Sequence, residues 1–268
     1  MAFEENEALA SRFHVCIFML GGLAAAIELL ATDLVIQSPG WHQEKQGRTK
    51  RARCIVHVRT HGLPLSIPQQ AADCRAVMQH LGIERVHLAG LSYGGAILLQ
   101  FAVDFPEATQ TLTLMEPSLP AMKTAPPEFQ EAVTKAMSLR EAGEKAAALD
   151  TVFKVVCGPD YAAVFDQKLP PGWFERWVAD AETLFQHDLP ALGNWKFTAE
   201  DAARISAPVL NLKAANTYDH ERYQALQSWI PHAERAVVPN ATHCMLLAKP
   251  ADAADHLVTF ISRHPPAN

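Results

Sequence analysis

The sequence has little charge and no excess of basic groups: charged residues make up 19% of the chain and the formal net charge is -6. A deficit of positive charge excludes nucleic acid as the main partner, because phosphate binding wants a basic surface. Lys45, Arg48, Lys50, Arg51 and Arg53 crowd together as a local exception and read as a solvated surface loop. There is no C-x-x-C pair and no metal-ligand spacing among the five cysteines, Cys16, Cys54, Cys74, Cys157 and Cys244, so no metal site is expected. Their odd number in a chain of 268 residues predicts reduced thiols and a cytoplasmic setting. Long apolar runs are missing too. The longest candidate, Val15 to Ile27, is shorter than a spanning helix and is followed by Glu28 and Asp33, while Glu4, Glu5 and Glu7 precede it where a signal peptide would be basic. No membrane partner is expected. Internal repeats and low-complexity segments are also absent.

What is present is a 49% hydrophobic chain whose apolar segments alternate between short runs and helical periodicity. Strand-like runs cover His14 to Leu20, Arg53 to Val58, Arg85 to Ala89, Thr111 to Met115, Val209 to Lys213 and Arg235 to Val238. Helices are expected from about Pro68 to Leu81, Gly94 to Phe105, His220 to Trp229 and Ala251 to Ser262. Such alternation predicts an α/β fold with a mostly parallel, doubly wound sheet, since parallel strands need crossovers that cover both faces. The segment from Ser118 to Glu200 breaks the rhythm. It is Ala-rich and helical in places, carries Pro126-Pro127 and Pro170-Pro171, and holds Trp173, Phe174, Trp177, Trp195 and Phe197. It reads as an insertion over one edge of the sheet.

Gly90-Leu91-Ser92-Tyr93-Gly94 matches G-x-S-x-G between a strand and a helix. In that setting the serine occupies a strained turn, the flanking glycines let strand and helix approach, and the next amide, that of Tyr93, points to the same space. A serine hydroxyl needs a base to take its proton. Of the twelve histidines, His243 stands in the loop Pro239-Asn240-Ala241-Thr242-His243, between the last strand and the last helix, which emerges at the same end of a parallel sheet. His232 and His256 fall on a loop and a helix surface. Cys244 directly follows the candidate base.

With these residues the chain resembles the bacterial α/β-hydrolases. The resemblance runs through Ser66 to Pro117, with Ala71-Ala72-Asp73-Cys74-Arg75-Ala76, Leu81-Gly82-Ile83-Glu84-Arg85 and Leu114-Met115-Glu116-Pro117. It resumes in Ala207-Pro208-Val209-Leu210, Trp229-Ile230-Pro231-His232-Ala233-Glu234 and the Asn240 to His243 loop, about half of the chain in all. It implies a core of residues 1–117 and 201–268 and a helical lid of residues 118–200, with the lid aromatics Trp173, Phe174 and Trp177 lining an acyl pocket. It implies no metal or organic cofactor. In many relatives the strand equivalent to Val209–Lys213 leads into the catalytic aspartate. Here Thr217 occupies that position and Asp219 lies two residues late. Other members take the acid from just after the preceding strand, where Glu116 sits. Glu116 is preferred, because Asp219 precedes a helix it could cap, and Asp219 remains the alternative. For the oxyanion hole the resemblance implies the amides of Tyr93 and of a residue near Gly22, in Leu20-Gly21-Gly22-Leu23, although Leu20 replaces the family's usual histidine.

The expectation is therefore a serine hydrolase that cleaves an ester or similar acyl bond of a small molecule with Ser92, His243 and Glu116. Serine at position 92 disfavours dehalogenation, which uses a carboxylate nucleophile. The alternatives are hydrolysis of a carbon–carbon bond or lactone with the same triad, and a non-catalytic small-molecule binder of the same fold.

Overall fold

The computed structural model describes residues 15–18, 36–37, 53–56, 65–80, 82–120 and 125–265. Seven strands, β1 (Val15–Phe18), β2 (Ile36–Gln37), β3 (Arg53–Val56), β4 (Val86–Leu91), β5 (Thr109–Met115), β6 (Val209–Ala214) and β7 (Glu234–Val238), form one sheet. Their order is β2-β3-β1-β4-β5-β6-β7, and every neighbouring pair is parallel. The chain leaves β1 toward one edge and returns through β3 to place β4 on the other side of β1. That reversal makes the carboxyl ends of β1 and β4 the switch point, where open α/β sheets leave a crevice for ligands.

The crossovers are helical, as parallel pairing requires. Helix α1 (Ile67–His80) precedes β4, α2 (Tyr93–Asp104) joins β4 to β5, α9 (His220–Trp229) joins β6 to β7, and α10 (Met245–Ala248) and α11 (Pro250–Ser262) follow β7. Between β5 and β6 lie α3 (Pro127–Glu141), α4 (Lys145–Cys157), α5 (Tyr161–Lys168), α6 (Trp173–Thr183), a π-helical turn (Leu184–Asp188), α7 (Leu189–Asn194) and α8 (Ala199–Ala202). Prolines open α3 and α7, where a missing N–H costs nothing.

Side-chain alternation along the strands divides the apolar residues into two clusters, one on each face of the sheet. On β4, Val86 and Leu88 join one cluster, with Ala71, Leu98, Phe101 and Leu226 from α1, α2 and α9. Ala89 and Leu91 join the other, with Phe260 from α11 and most of the helices between β5 and β6. The doubly wound parallel sheet expected from the sequence is thus present. Strand β2 was not expected: it is two residues long and lies at the sheet edge, and runs that short carry little periodic signal.

At the β4–α2 connection strand and helix approach closely. A Cβ on Gly90 would lie 2.8 Å from the carbonyl carbon and oxygen of Gly94 and from the amide of Gly95. A Cβ on Gly95 would lie 2.6 Å from Cβ of Pro117. Gly90→Ala must therefore push backbone against backbone. It should lower unfolding stability by about 1–3 kcal/mol, the usual cost of overpacking, as read from denaturant midpoints. An unchanged midpoint would mean that strand and helix are not in contact here.

Candidate active site

Three turns at the carboxyl end of the sheet carry the candidate residues, and each contains a non-glycine residue at positive φ: Ser92 (54°), Glu116 (45°) and Asn240 (52°). Backbone in this region is costly and persists only where its surroundings hold it. Around Ser92 they do so on both sides. Its N–H donates to the Met115 carbonyl at 3.1 Å, and its own carbonyl accepts from Ser118 N–H at 2.8 Å and Ala96 N–H at 3.2 Å. The Ser92 and Ser118 hydroxyl oxygens are 3.4 Å apart. Tyr93 is the first residue of α2, so its N–H has no acceptor within the helix and lies at the positive end of the helix dipole.

Glu116 directly follows β5. Its Oε2 is 2.7 Å from Nδ1 of His243, and its Oε1 accepts from Ala214 N–H at 2.8 Å. Burial pushes this carboxyl up, but the hydrogen bond and charge of His243, the Ala214 amide and the Thr217 hydroxyl outweigh it and hold the pKa below its ordinary value. The carboxylate is thus kept ionised, and a carboxylate at Nδ1 fixes the tautomer that leaves Nε2 basic. The loop that carries His243 is pinned by Asn216 N–H donating to Ala241 O at 2.9 Å. The Tyr218 ring meets the imidazole edge-on at 5.2 Å. Asp219 does different work: it caps α9 by accepting from Arg222 N–H at 3.0 Å and pairs with the Arg222 guanidinium at 2.8 Å.

Ser92, Tyr93, Ser118 and His243 open on one cavity of about 90 Å³. Its other walls are mostly apolar, with Phe129, Val133, Val152, Phe153, Val156, Leu184, Leu189 and Leu192 from the helices between β5 and β6. Trp173, Phe174 and Trp177, expected to line an acyl pocket, are not among its walls. They pack into an aromatic cluster behind it, with Trp173 and Trp177 ring centroids 5.0 Å apart and Trp177 stacked on Phe153 at 4.7 Å. Phe153 is the ring that reaches the cavity. Composition revealed an aromatic-rich segment but could not tell which layer of it faces inward.

The cysteine expectation also changes. Cys157, the last residue of α4, and Cys244, beside His243, form a disulfide with Cα atoms 5.3 Å apart across 87 residues. That separation matches no sequence motif, and only the fold brings the end of α4 to the histidine loop, where the Thr242 hydroxyl donates to Cys157 O at 3.1 Å. A disulfide removes the thiol argument for a cytoplasmic setting. Gly22, the second expected oxyanion residue, lies outside the described residues. Among the described residues no helix is long and apolar enough to cross a membrane, and no cluster of His, Cys, Asp or Glu could hold a metal ion.

Among the cavity residues that sequence reasoning missed, Asp188 is the acidic one. Asp188 ends the π-helical turn, lines the cavity and is 6% exposed. It gives no side-chain cap to α7, and none of the described residues gives it a hydrogen bond or ion pair. Burial raises its pKa from 3.8 to about 7. Leu184, Phe185, Asp188, Leu189 and Leu192 recur at helical spacing, so the available signal was a carboxylate on an otherwise apolar face.

A model described as the alpha/beta hydrolase family matches residues 17–256. The carboxylesterase YbfK of Bacillus subtilis (strain 168) is 23% identical over 211 residues, covering 73% of this chain and 67% of that protein. A 2-hydroxy-6-oxononadienedioate/2-hydroxy-6-oxononatrienedioate hydrolase of Comamonas testosteroni is 49% identical, but over 47 residues only, 18% of this chain and 16% of the relative's length. Among solved structures, carboxylesterase CesB (YbfK) from Bacillus subtilis superimposes with a TM-score of 0.63 at 17% identity, covering 97% of this chain and 95% of that one.

Two stability outcomes follow from the cavity. The native Asp188 carboxyl holds its proton up to about pH 7, whereas the unfolded chain releases it near 3.8. Its burial therefore costs nothing below about pH 4, costs progressively more as pH rises, and costs most above pH 7. Asp188→Asn should raise stability at pH 8, by at most about 4 kcal/mol, and leave it unchanged at pH 4; equal effects at both pH values would mean that the carboxyl is solvated. Cys157→Ser should cost about 2–4 kcal/mol, and wild-type protein treated with dithiothreitol should unfold at the midpoint of the variant.

Proposed function

The chain belongs to the alpha/beta hydrolase family, and on that premise we propose that it is a serine hydrolase acting on a carboxylic ester or similar acyl bond of a small, largely apolar substrate. The observation that carries the reading is the 2.7 Å contact between Glu116 and His243 beside a serine held at positive φ on the same cavity. In this reading residues 118–200 act as the lid over the core formed by residues 1–117 and 201–268, and their apolar side chains receive the acyl part.

The chemistry runs through the roles these atoms suit. His243 Nε2 takes the Ser92 proton as Oγ attacks the carbonyl carbon. The negative charge that develops on the carbonyl oxygen is met by the Tyr93 amide, assisted by the Gly22 region, and fixed donors of this kind are worth about 3–4 kcal/mol each. Glu116 remains ionised and stabilises the imidazolium, which then protonates the leaving alcohol. Water repeats the sequence on the acyl-enzyme and releases the acid. Asp219, engaged by Arg222, takes no part in proton transfer.

A second reading, hydrolysis of a carbon–carbon bond in a 2-hydroxy-6-oxo dienoate, is favoured by the local 49% match to the Comamonas hydrolase. Such a substrate carries carboxylate charge. In this cavity Arg222 is already paired with Asp219 and the unpaired group is the acid Asp188, so an anionic substrate is disfavoured.

A fluorophosphonate probe should label Ser92 in the native protein, and absence of labelling would favour the non-catalytic binder. On p-nitrophenyl esters of graded length, Ser92→Ala and His243→Ala should each lower kcat by at least about a thousandfold. Glu116→Gln should lose on the order of ten thousandfold while remaining folded, whereas Asp219→Asn should keep kcat within about tenfold and show its effect in stability. Full activity in Ser92→Ala, or a larger kcat loss in Asp219→Asn than in Glu116→Gln, would overturn these assignments.

A further inference from the structure

Asp188 has no role in the reaction just described, yet it lines the cavity of the nucleophile and, among the described residues, has no hydrogen bond or ion pair. Three ordinary explanations fail. It does not cap α7, which begins at the next residue. It is not half of an ion pair among the described residues, where the cation on the cavity wall, Arg222, is held by Asp219 at 2.8 Å. Nor is it a surface group, at 6% exposed. It also sits at the end of a π-helical turn, an irregularity that occurs mostly as single turns inserted into helices, frequently at functional sites. A buried acid without a partner is destabilising, and a cation brought by a ligand would offset that cost.

We propose that Asp188 is a specificity-determining residue that anchors a cationic amine on the substrate, so that the cavity takes esters whose short apolar body ends in a protonated amine. The assignment of turnover rests on the serine-hydrolase reading; the anchoring of the amine does not. The remaining walls suit such a body: Phe129, Phe153, Val156 and Leu192 contact methylene groups, and the faces of aromatic rings tolerate an ammonium group. Among the described residues, the other titratable or charged groups lining the same space are Tyr93, Tyr218, Arg222 and His243. Burial, reinforced in Tyr93 by the charge of Asp188 itself, raises the pKa of both tyrosines and keeps them neutral. Arg222 is neutralised by Asp219, and His243 is engaged by Glu116. Helices α3 and α4 contribute only apolar side chains and Cys157 to the wall. Among the described wall residues Asp188 is therefore the group whose ionisation is left for a ligand to meet, and burial pushes its pKa up to about 7.

The test compares two isosteric esters, p-nitrophenyl 4-(dimethylamino)butyrate and p-nitrophenyl 5-methylhexanoate, through the ratio of their kcat/KM values. The pH dependence of the bond-breaking chemistry itself is common to both esters and cancels in the ratio. In the wild-type protein the ratio should favour the amine ester at pH 8. It should fall about tenfold at pH 6, as the ionised fraction of a carboxyl titrating at about 7 drops from nine tenths to one tenth. Asp188→Asn should lower the pH 8 ratio at least about tenfold and abolish its pH dependence. Turnover of the neutral ester with a wild-type ratio at or below one would overturn the anchor and leave the hydrolase intact. Turnover of neither ester would instead count against the hydrolase reading. Calorimetric binding of hexylammonium against 1-hexanol to the wild-type protein then decides the anchor: preference for the ammonium ion that strengthens from pH 6 to pH 8 supports it, and equal binding overturns it.

Discussion

The close approach of β4 to α2 is the constraint from which the rest of the site follows. With no side chain at Gly90, the strand runs within contact of the first turn of the helix, and the chain reverses between them with Ser92 at positive φ. The same absence at Gly95 brings Pro117 against the helix, so the turn after β5 is packed onto the turn after β4. Hydrogen bonds from Ser92 N–H to Met115 O and from Ser118 N–H to Ser92 O lock the two turns together. Glu116 sits between those bonds. The position of the carboxylate beside His243 is therefore tied, through two residues of backbone, to the geometry of the serine turn, and neither can shift without straining the other.

How much of this was legible in the sequence depended on the range of the interaction. The parallel sheet, its crossovers and the serine turn are specified locally, by apolar runs, helix stops such as Pro106, and glycines two residues either side of Ser92, and they could be read directly. The choice between Glu116 and Asp219 was half legible. Asp219 precedes a helix with Arg222 three residues on, which is a capping pattern, but the bond between Glu116 and His243 spans 127 residues and leaves no local mark. The aromatic layer misled because Trp173 and Trp177 carry the composition signal while Phe153, one ring further in, reaches the cavity. The Cys157–Cys244 pair was invisible for the same reason of range, and an odd cysteine count is no obstacle to one bridge.

Two carboxyl groups on or beside the same cavity are driven in opposite directions. Both are buried. Glu116 is met by an imidazole, a backbone N–H and a hydroxyl, which together favour its charged form over the penalty of burial. Asp188 has the penalty alone. Environment rather than residue type decides what each can do, as in enzymes where paired acids divide their roles. An acid that stays ionised suits permanent stabilisation of an imidazolium, and an acid that titrates near neutrality suits a group whose counter-charge arrives and leaves with a ligand.

The helices between β5 and β6 connect these two functions mechanically. They furnish Asp188 and the apolar walls, and through Cys157 they are covalently attached to Cys244, the residue after His243. The end of α4 is thus linked to the loop of His243 by one disulfide and the Thr242 to Cys157 hydrogen bond, without passing through the sheet. The core turns hold Ser92, Glu116 and His243 from the opposite side. In such an arrangement substitutions in α3, α4 and α7 can alter what the cavity admits while the sheet keeps Ser92, Glu116 and His243 in place, which is how one fold comes to serve many substrates. The disulfide limits that freedom at one point: the end of α4 must stay where the histidine loop needs it, so variation in specificity is expected in the walls distant from Cys157, around Phe129, Leu184 and Asp188, before it is expected beside Val156.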